Sequence, residues 1–118
     1  MTYEDLLLVP YKANGRDADG MDCYGLVLEC CRRDGLYLKD VVYCEKESEG
    51  EAGRHALNLG LVPVESARHG TLIQCVYNGE LHIAYALNKK TCLHMTYDGP
   101  RVTPIFALSH PVFYEVAE

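Results

Sequence analysis

Nowhere in these 118 residues do apolar side chains run for the roughly 18 positions that a membrane-spanning helix needs. The N-terminus carries two acids, Glu4 and Asp5, and no base, and its apolar run Leu6-Leu7-Leu8-Val9 stops at Pro10. That run is too short for the core of a secretory signal, and the basic flank is missing. The expectation is a chain made in the cytoplasm without a signal peptide and without membrane insertion. Basic clusters are scarce too: only the pairs Arg32-Arg33 and Lys89-Lys90 occur, against a formal net charge of −6. Phosphate binding normally shows as a basic patch, so nucleic acid is not an expected partner, nor is charge-driven adhesion to anionic walls or membranes. No CxxC pair is present, which leaves a structural zinc site without its usual ligand spacing. Gly15, Gly20 and Gly25 form no phosphate-loop spacing. Internal repeats and low-complexity segments are absent.

What is present is an ordinary globular composition, 48% apolar, sized for one domain over residues 1–118. Six cysteines (Cys23, Cys30, Cys31, Cys44, Cys75 and Cys92) are expected to be free thiols, most of them small buried hydrophobes, in a chain without an export signal. Residues 2–8 predict a short helix capped by Thr2 and ended by Pro10. Residues 12–21 are polar and glycine-dotted, hence a loop. A second helix should start at Cys23, with Asp22 in the capping position and Leu26, Val27, Cys30 and Cys31 at helical spacing, and end near Arg33-Asp34-Gly35. A third, more exposed helix is expected over residues 45–59. From residue 71 the pattern becomes strand-like. Strands are predicted over 71–77, 81–87, 91–97, 101–106 and 111–116, with Asn78-Gly79 a strong hairpin turn and further turns at 88–90 and 98–100. Helices followed by an antiparallel meander of about five strands make an α+β domain.

Cys23 is the most informative position. At the first turn of a helix, unpaired amide N–H groups and the helix dipole favour a thiolate over the usual thiol of pKa about 8.5. The thiolate is the nucleophile, and the same amides could hold an oxyanion. The residue fits a buried helix cysteine as well. His82 and His94 lie twelve residues apart on successive predicted strands, near each other across the ladder or one pair removed. If they share a face, His94 can bond one ring nitrogen of His82 and leave the other for Cys23, the logic of nucleophile, base and orienter. Two satisfied histidines remain the plain alternative. Cys92 and His94 with His82 could imitate a metal cluster, but no fourth ligand is evident. His55 and His69 are expected to be solvated.

At this point a family resemblance enters. Gly20-Met21-Asp22-Cys23-Tyr24-Gly25-Leu26-Val27 resembles the nucleophile motif of the NlpC-type cell-wall cysteine peptidases, with Gly15-Arg16-Asp17 before it closest to phage tail-tip and tail-assembly members. Tyr11, twelve residues before Cys23, sits where that family carries a tyrosine that helps line the oxyanion site. Leu81-His82-Ile83-Ala84-Tyr85 is similar to its base strand, and His94 matches its third polar position. The likeness spans residues 11–96. Tyr24, Ala84 and Ala86 depart from the usual residues, and none of these changes removes a reacting atom.

The resemblance implies a papain-like core and a thiol peptidase cutting the peptidoglycan stem peptide at the γ-D-glutamyl–diaminopimelate bond. Cys23 would attack, His82 would move protons, His94 would orient His82, and Tyr11 would help hold the oxyanion, with no metal or cofactor. Arg16, Asp22 and Tyr24 are expected at the substrate, and Lys12, Arg16 or Arg101 would supply cations for stem carboxylates. Without an export signal or wall-binding module, the expected route to the wall is a phage tail or a secretion machine, and phage tail proteins are possible partners. Two other readings stay open: a silent structural tail or assembly protein, and a thiol amidase, deamidase or acyltransferase acting on a protein or lipid.

Overall fold

The computed structural model describes residues 3–40 and 60–117. The helix predicted at 45–59, with Cys44 and His55, lies outside the described residues. Glu4–Leu8 winds into a 3₁₀ turn rather than an α-helix: no side chain caps it, and Val9 is already extended before Pro10. The stretch expected to be loop contains a miniature hairpin, β1 (Arg16–Asp17) with β2 (Gly20–Met21). Its turn is closed by Asp17 Oδ1, which accepts the Asp19 N–H at 2.9 Å.

Helix α1 (Cys23–Arg33) begins and ends as its sequence predicts. Asp22 is extended, and its Oδ1 accepts the Gly25 N–H at 2.7 Å, satisfying one of the orphan donors of the first turn. Arg32 and Arg33 occupy the last turn, and Gly35 at φ 75° breaks the helix. Cys23, Tyr24, Leu26, Val27, Cys30 and Cys31 are all buried. Gly25 is required by a close approach: a Cβ there would stand 2.3 Å from the backbone oxygen of Gly15, on the loop that crosses the helix.

The remaining chain forms one antiparallel sheet of six strands: β3 (Leu61–Val64), β4 (Leu72–Tyr77), β5 (Glu80–Ala86), β6 (Thr91–Thr96), β7 (Gly99–Pro104) and β8 (Ser109–Val116). The spatial order is β3-β8-β4-β5-β6-β7. β4 to β7 are the expected meander. β8 then returns to pair with β4 on the far side, and β3 closes that edge. β3 was not expected, because Pro63 interrupts a short run; an edge strand tolerates it, since one side of its ladder is unpaired. β7 starts earlier than predicted because Thr96 pairs directly with Gly99, leaving only Tyr97 and Asp98 in the turn, and Ile105–Ala107 turns into a 3₁₀ segment. Asn78 at φ 53° and Gly79 at φ 78° make the tight turn that their dipeptide predicts.

α1 packs on β5 and β6. Leu26, Val27, Cys30 and Cys31 join Leu72, Ile83, Tyr85, Leu93 and Met95 in the main core. A smaller core of Ile73, Cys75, Ala84, Ala86, Cys92, Ile105 and Leu108 sits apart from it. Alternate residues of β4, β5 and β6 serve the two cores, so the middle of the sheet is covered on both faces.

Alanine is the better helix former by about 1 kcal/mol, yet Gly25→Ala should destabilise the fold. The loop at Gly15 would have to move, and a net loss of about 1–3 kcal/mol in urea unfolding is expected, the usual scale for overpacking. An unchanged or raised stability would mean that the loop yields freely.

Candidate active site

The loop before α1 delivers Cys23 to one end of the sheet. Tyr11 forms an isolated parallel bridge with Met21, supported by Lys12 N–H to Met21 O and Met21 N–H to Pro10 O, each 3.0 Å. This fixes Tyr11 beside the residues that lead into the helix. Tyr11 also lines a small cleft with Tyr77, Glu80, Leu81, His82, Met95, Thr96 and Tyr97. Its ring meets that of Tyr97 edge-on at 4.7 Å. Tyr97 in turn donates its hydroxyl to Glu80 at 2.9 Å. Cys23 is 1% exposed at the head of α1.

His82 and His94 meet inside the protein, His82 Nε2 and His94 Nδ1 lying 2.9 Å apart. The β5–β6 register pairs Tyr85 with Leu93; continued, it sets His94 opposite Ala84 and His82 one pair removed. The bond is therefore a diagonal one, within reach of long side chains. His82 is 5% and His94 1% exposed. Only Nδ1 of His82 is left for another partner.

Two further residues, absent from the sequence reading, complete this cluster. Tyr77 stacks on His82 with ring centres 5.1 Å apart at 29°, and meets His94 edge-on at 5.1 Å. Thr103 Oγ1 lies 2.8 Å from His94 Nε2. Both were detectable in principle from register. Tyr77 pairs with Glu80 and is diagonal to His82, while Arg101 pairs with His94 and Thr103 is diagonal to it. The second pairing could not be drawn while β7 was placed two residues late.

Burial disfavours charge on both rings. His82 is pushed down to about 3 by its buried site and then by the neighbouring His94. His94 is pushed down to about 4, again by burial and then by the charge of Arg101. Both are neutral imidazoles near pH 7.

The three residues expected at the substrate each have partners within the chain. Asp22 is 2% exposed, and besides capping α1 it accepts the Asn14 N–H at 3.1 Å and Arg16 Nη1 at 2.7 Å. Arg16 also donates to Asp40 at 2.9 Å and to the Gly15 carbonyl at 2.8 Å. Tyr24 is fully buried under the Arg16 guanidinium, and its hydroxyl donates to the Lys39 carbonyl. These contacts fix the loop and helix start, and the Arg16 side chain stays partly exposed. His69 is exposed, as expected, and is also hydrogen-bonded. Its Nε2 is 2.9 Å from Asp34 and its Nδ1 2.9 Å from the Leu87 carbonyl, at the opposite end of α1. Cys30, Cys31, Cys75 and Cys92 are buried, their thiols pushed up by that burial, Cys75 to about 12 and Cys92 to about 11, so they pack rather than react. Among the described residues no group of three His, Cys, Asp or Glu side chains is gathered as a metal would need.

The sequence matches no family model and no curated protein. The fold, however, is similar to that of a solved structure, the NlpC/p60 domain of the peptidoglycan hydrolase SagA. The TM-score is 0.65 at 20% identity, over 97% of this chain and 92% of that one. The chain thus has an α+β, papain-like NlpC/p60 fold, with an α-helix on a six-stranded antiparallel sheet.

The neutral imidazoles set a pH dependence. Unfolded histidines take up protons below their ordinary value of 6.5, while the folded pair resists until pH 4 or lower. The folded state binds fewer protons in that window, so stability is full above pH 6.5 and declines as pH falls toward 4. Between pH 7 and pH 5 the wild type should lose about 2–4 kcal/mol more, in urea unfolding, than a His82→Gln/His94→Gln double variant. Equal losses would show that burial does not hold the pair neutral.

Proposed function

We propose that this protein is a cysteine endopeptidase of the peptidoglycan stem peptide, with Cys23 as nucleophile, His82 as base, His94 as its orienter and Tyr11 beside the oxyanion. The observation that carries this reading is the buried 2.9 Å contact of His82 with His94, on the two strands that pack against the helix headed by Cys23. A neutral imidazole with one nitrogen occupied and one spare is what a thiol needs as its base. The sequence motif around Cys23 and the likeness to a peptidoglycan hydrolase domain support the substrate class.

In this mechanism Cys23 Sγ attacks the γ-glutamyl carbonyl carbon while His82 Nδ1 takes the thiol proton. The carbonyl electrons move to oxygen, held by the Cys23 amide and the Tyr11 hydroxyl. Collapse breaks the C–N bond, and His82 returns the proton to the leaving diaminopimelate amine. A water then attacks the thioester, again giving its proton to His82, and the acid is released with the thiol restored. A tail-borne mode of delivery belongs to the same proposal and rests on the likeness of residues 15–27 to phage tail members.

The test is digestion of purified diaminopimelate-type peptidoglycan under reducing conditions by wild type and Cys23→Ala. New amine termini from the wild type only, with masses placing the cut after the γ-glutamyl carbonyl, are expected. Loss of catalysis in Cys23→Ala should be at least 10³-fold, since the nucleophile itself is gone. No release by a folded wild type would turn the assignment toward another acyl donor or a structural role.

A further inference from the structure

The imidazole chain continues one step beyond His94, to the half-buried Thr103 on β7, whose Oγ1 is 2.8 Å from His94 Nε2. A threonine hydroxyl can give or take a hydrogen bond, so the contact alone does not orient the chain. The proton count does. When His82 holds a second proton it has no lone pair, and its Nε2–H can only donate. His94, 2.9 Å away, must then accept through Nδ1. A neutral ring with its lone pair on Nδ1 carries its proton on Nε2, and that buried N–H requires an acceptor. Thr103 Oγ1 stands at that position.

We infer that Thr103 is a positioning residue that acts through His94, its hydroxyl oxygen accepting the Nε2 proton and so holding His94 in the one tautomer able to receive a protonated His82. The inference rests on the proposed role of His82 as the proton carrier. Arg101, paired with His94 across the β6–β7 ladder, opposes a second proton there and keeps the orienter neutral. Tyr77 braces both rings by stacking and edge contact. Without the hydroxyl, the buried Nε2–H of His94 would be unsatisfied. The ring would shift its proton to Nδ1, where two donors would face each other whenever His82 is charged.

Two variants separate this from a packing role: Thr103→Val keeps the shape and removes the acceptor, while Thr103→Ser keeps the acceptor and removes a methyl. Three quantities are read: the ¹⁵N shifts of the His94 ring nitrogens, the alkylation rate of Cys23 by iodoacetamide followed by peptide mass, and kcat and KM on peptidoglycan. The wild type and Thr103→Ser should show His94 protonated at Nε2. Thr103→Val should shift the proton to Nδ1, slow Cys23 alkylation, and lower kcat roughly tenfold with little change in KM, the scale of one hydrogen bond to a relay that becomes charged. A wild-type His94 protonated at Nδ1, or a Thr103→Val protein with unchanged tautomer and rates, would overturn the assignment. If the wild type does not cut peptidoglycan, the proposed substrate fails, while the ring spectra and the alkylation rates still decide the role of Thr103. The wild-type spectrum alone decides it should Thr103→Val not fold.

Discussion

The carboxylate of Asp22 is the constraint on which the geometry of this end of the molecule depends. One buried group caps the helix through Gly25, anchors the loop through Asn14, and holds Arg16. A carboxylate taken out of water is costly unless its oxygens are satisfied, and here three donors of the same loop and helix meet it. The result is a helix that begins at residue 23. Arg16 carries the restraint outward to Asp40, and its guanidinium covers the ring of Tyr24. Gly25 makes the arrangement possible by leaving room for the Gly15 carbonyl.

A second restraint holds the far end of the helix. Asp34, just past the last turn, receives the hydroxyls of Tyr3 (2.5 Å) and Tyr85 and the ring of His69. Burial alone would raise its carboxyl, but these donors outweigh burial and hold it below the ordinary value. Arg33 adds an ion pair with Asp5, tying the first 3₁₀ turn to the same point; being partly exposed, it is worth little by itself. The helix is thus pinned at both ends while its middle is packed by aliphatic and thiol side chains. A helix of eleven residues, marginal alone, is made rigid by tertiary contacts.

Between these anchors, the sheet also encloses polar groups. His82, His94 and Thr103 form a chain across β5, β6 and β7, and every link is a contact with a strand neighbour rather than with solvent. Burial strengthens those hydrogen bonds and makes any unsatisfied member expensive. It also makes charge on either ring unfavourable, so the same arrangement that orders the site costs stability in acid.

Local rules were enough to read much of this from sequence. Asp22 before Cys23 set the start of α1, because capping depends on one side chain and the amide three residues on. Asn78-Gly79 set the β4–β5 hairpin, because only residues tolerant of positive φ make so tight a turn. The turn expected at 88–90, between β5 and β6, and the twelve-residue spacing placed His82 near His94. Other features were decided by contacts between segments distant in the chain. β8 returns to β4 and recruits β3 across a proline, which no local pattern announces. That Arg16, Asp22 and Tyr24 tie the loop to the helix start is likewise not legible in the sequence, because their partners Asn14, Asp40 and the Lys39 carbonyl are met only in the folded chain. Thr103 and Tyr77 enter the site only through diagonal register, which is fixed when the strands pair and not before.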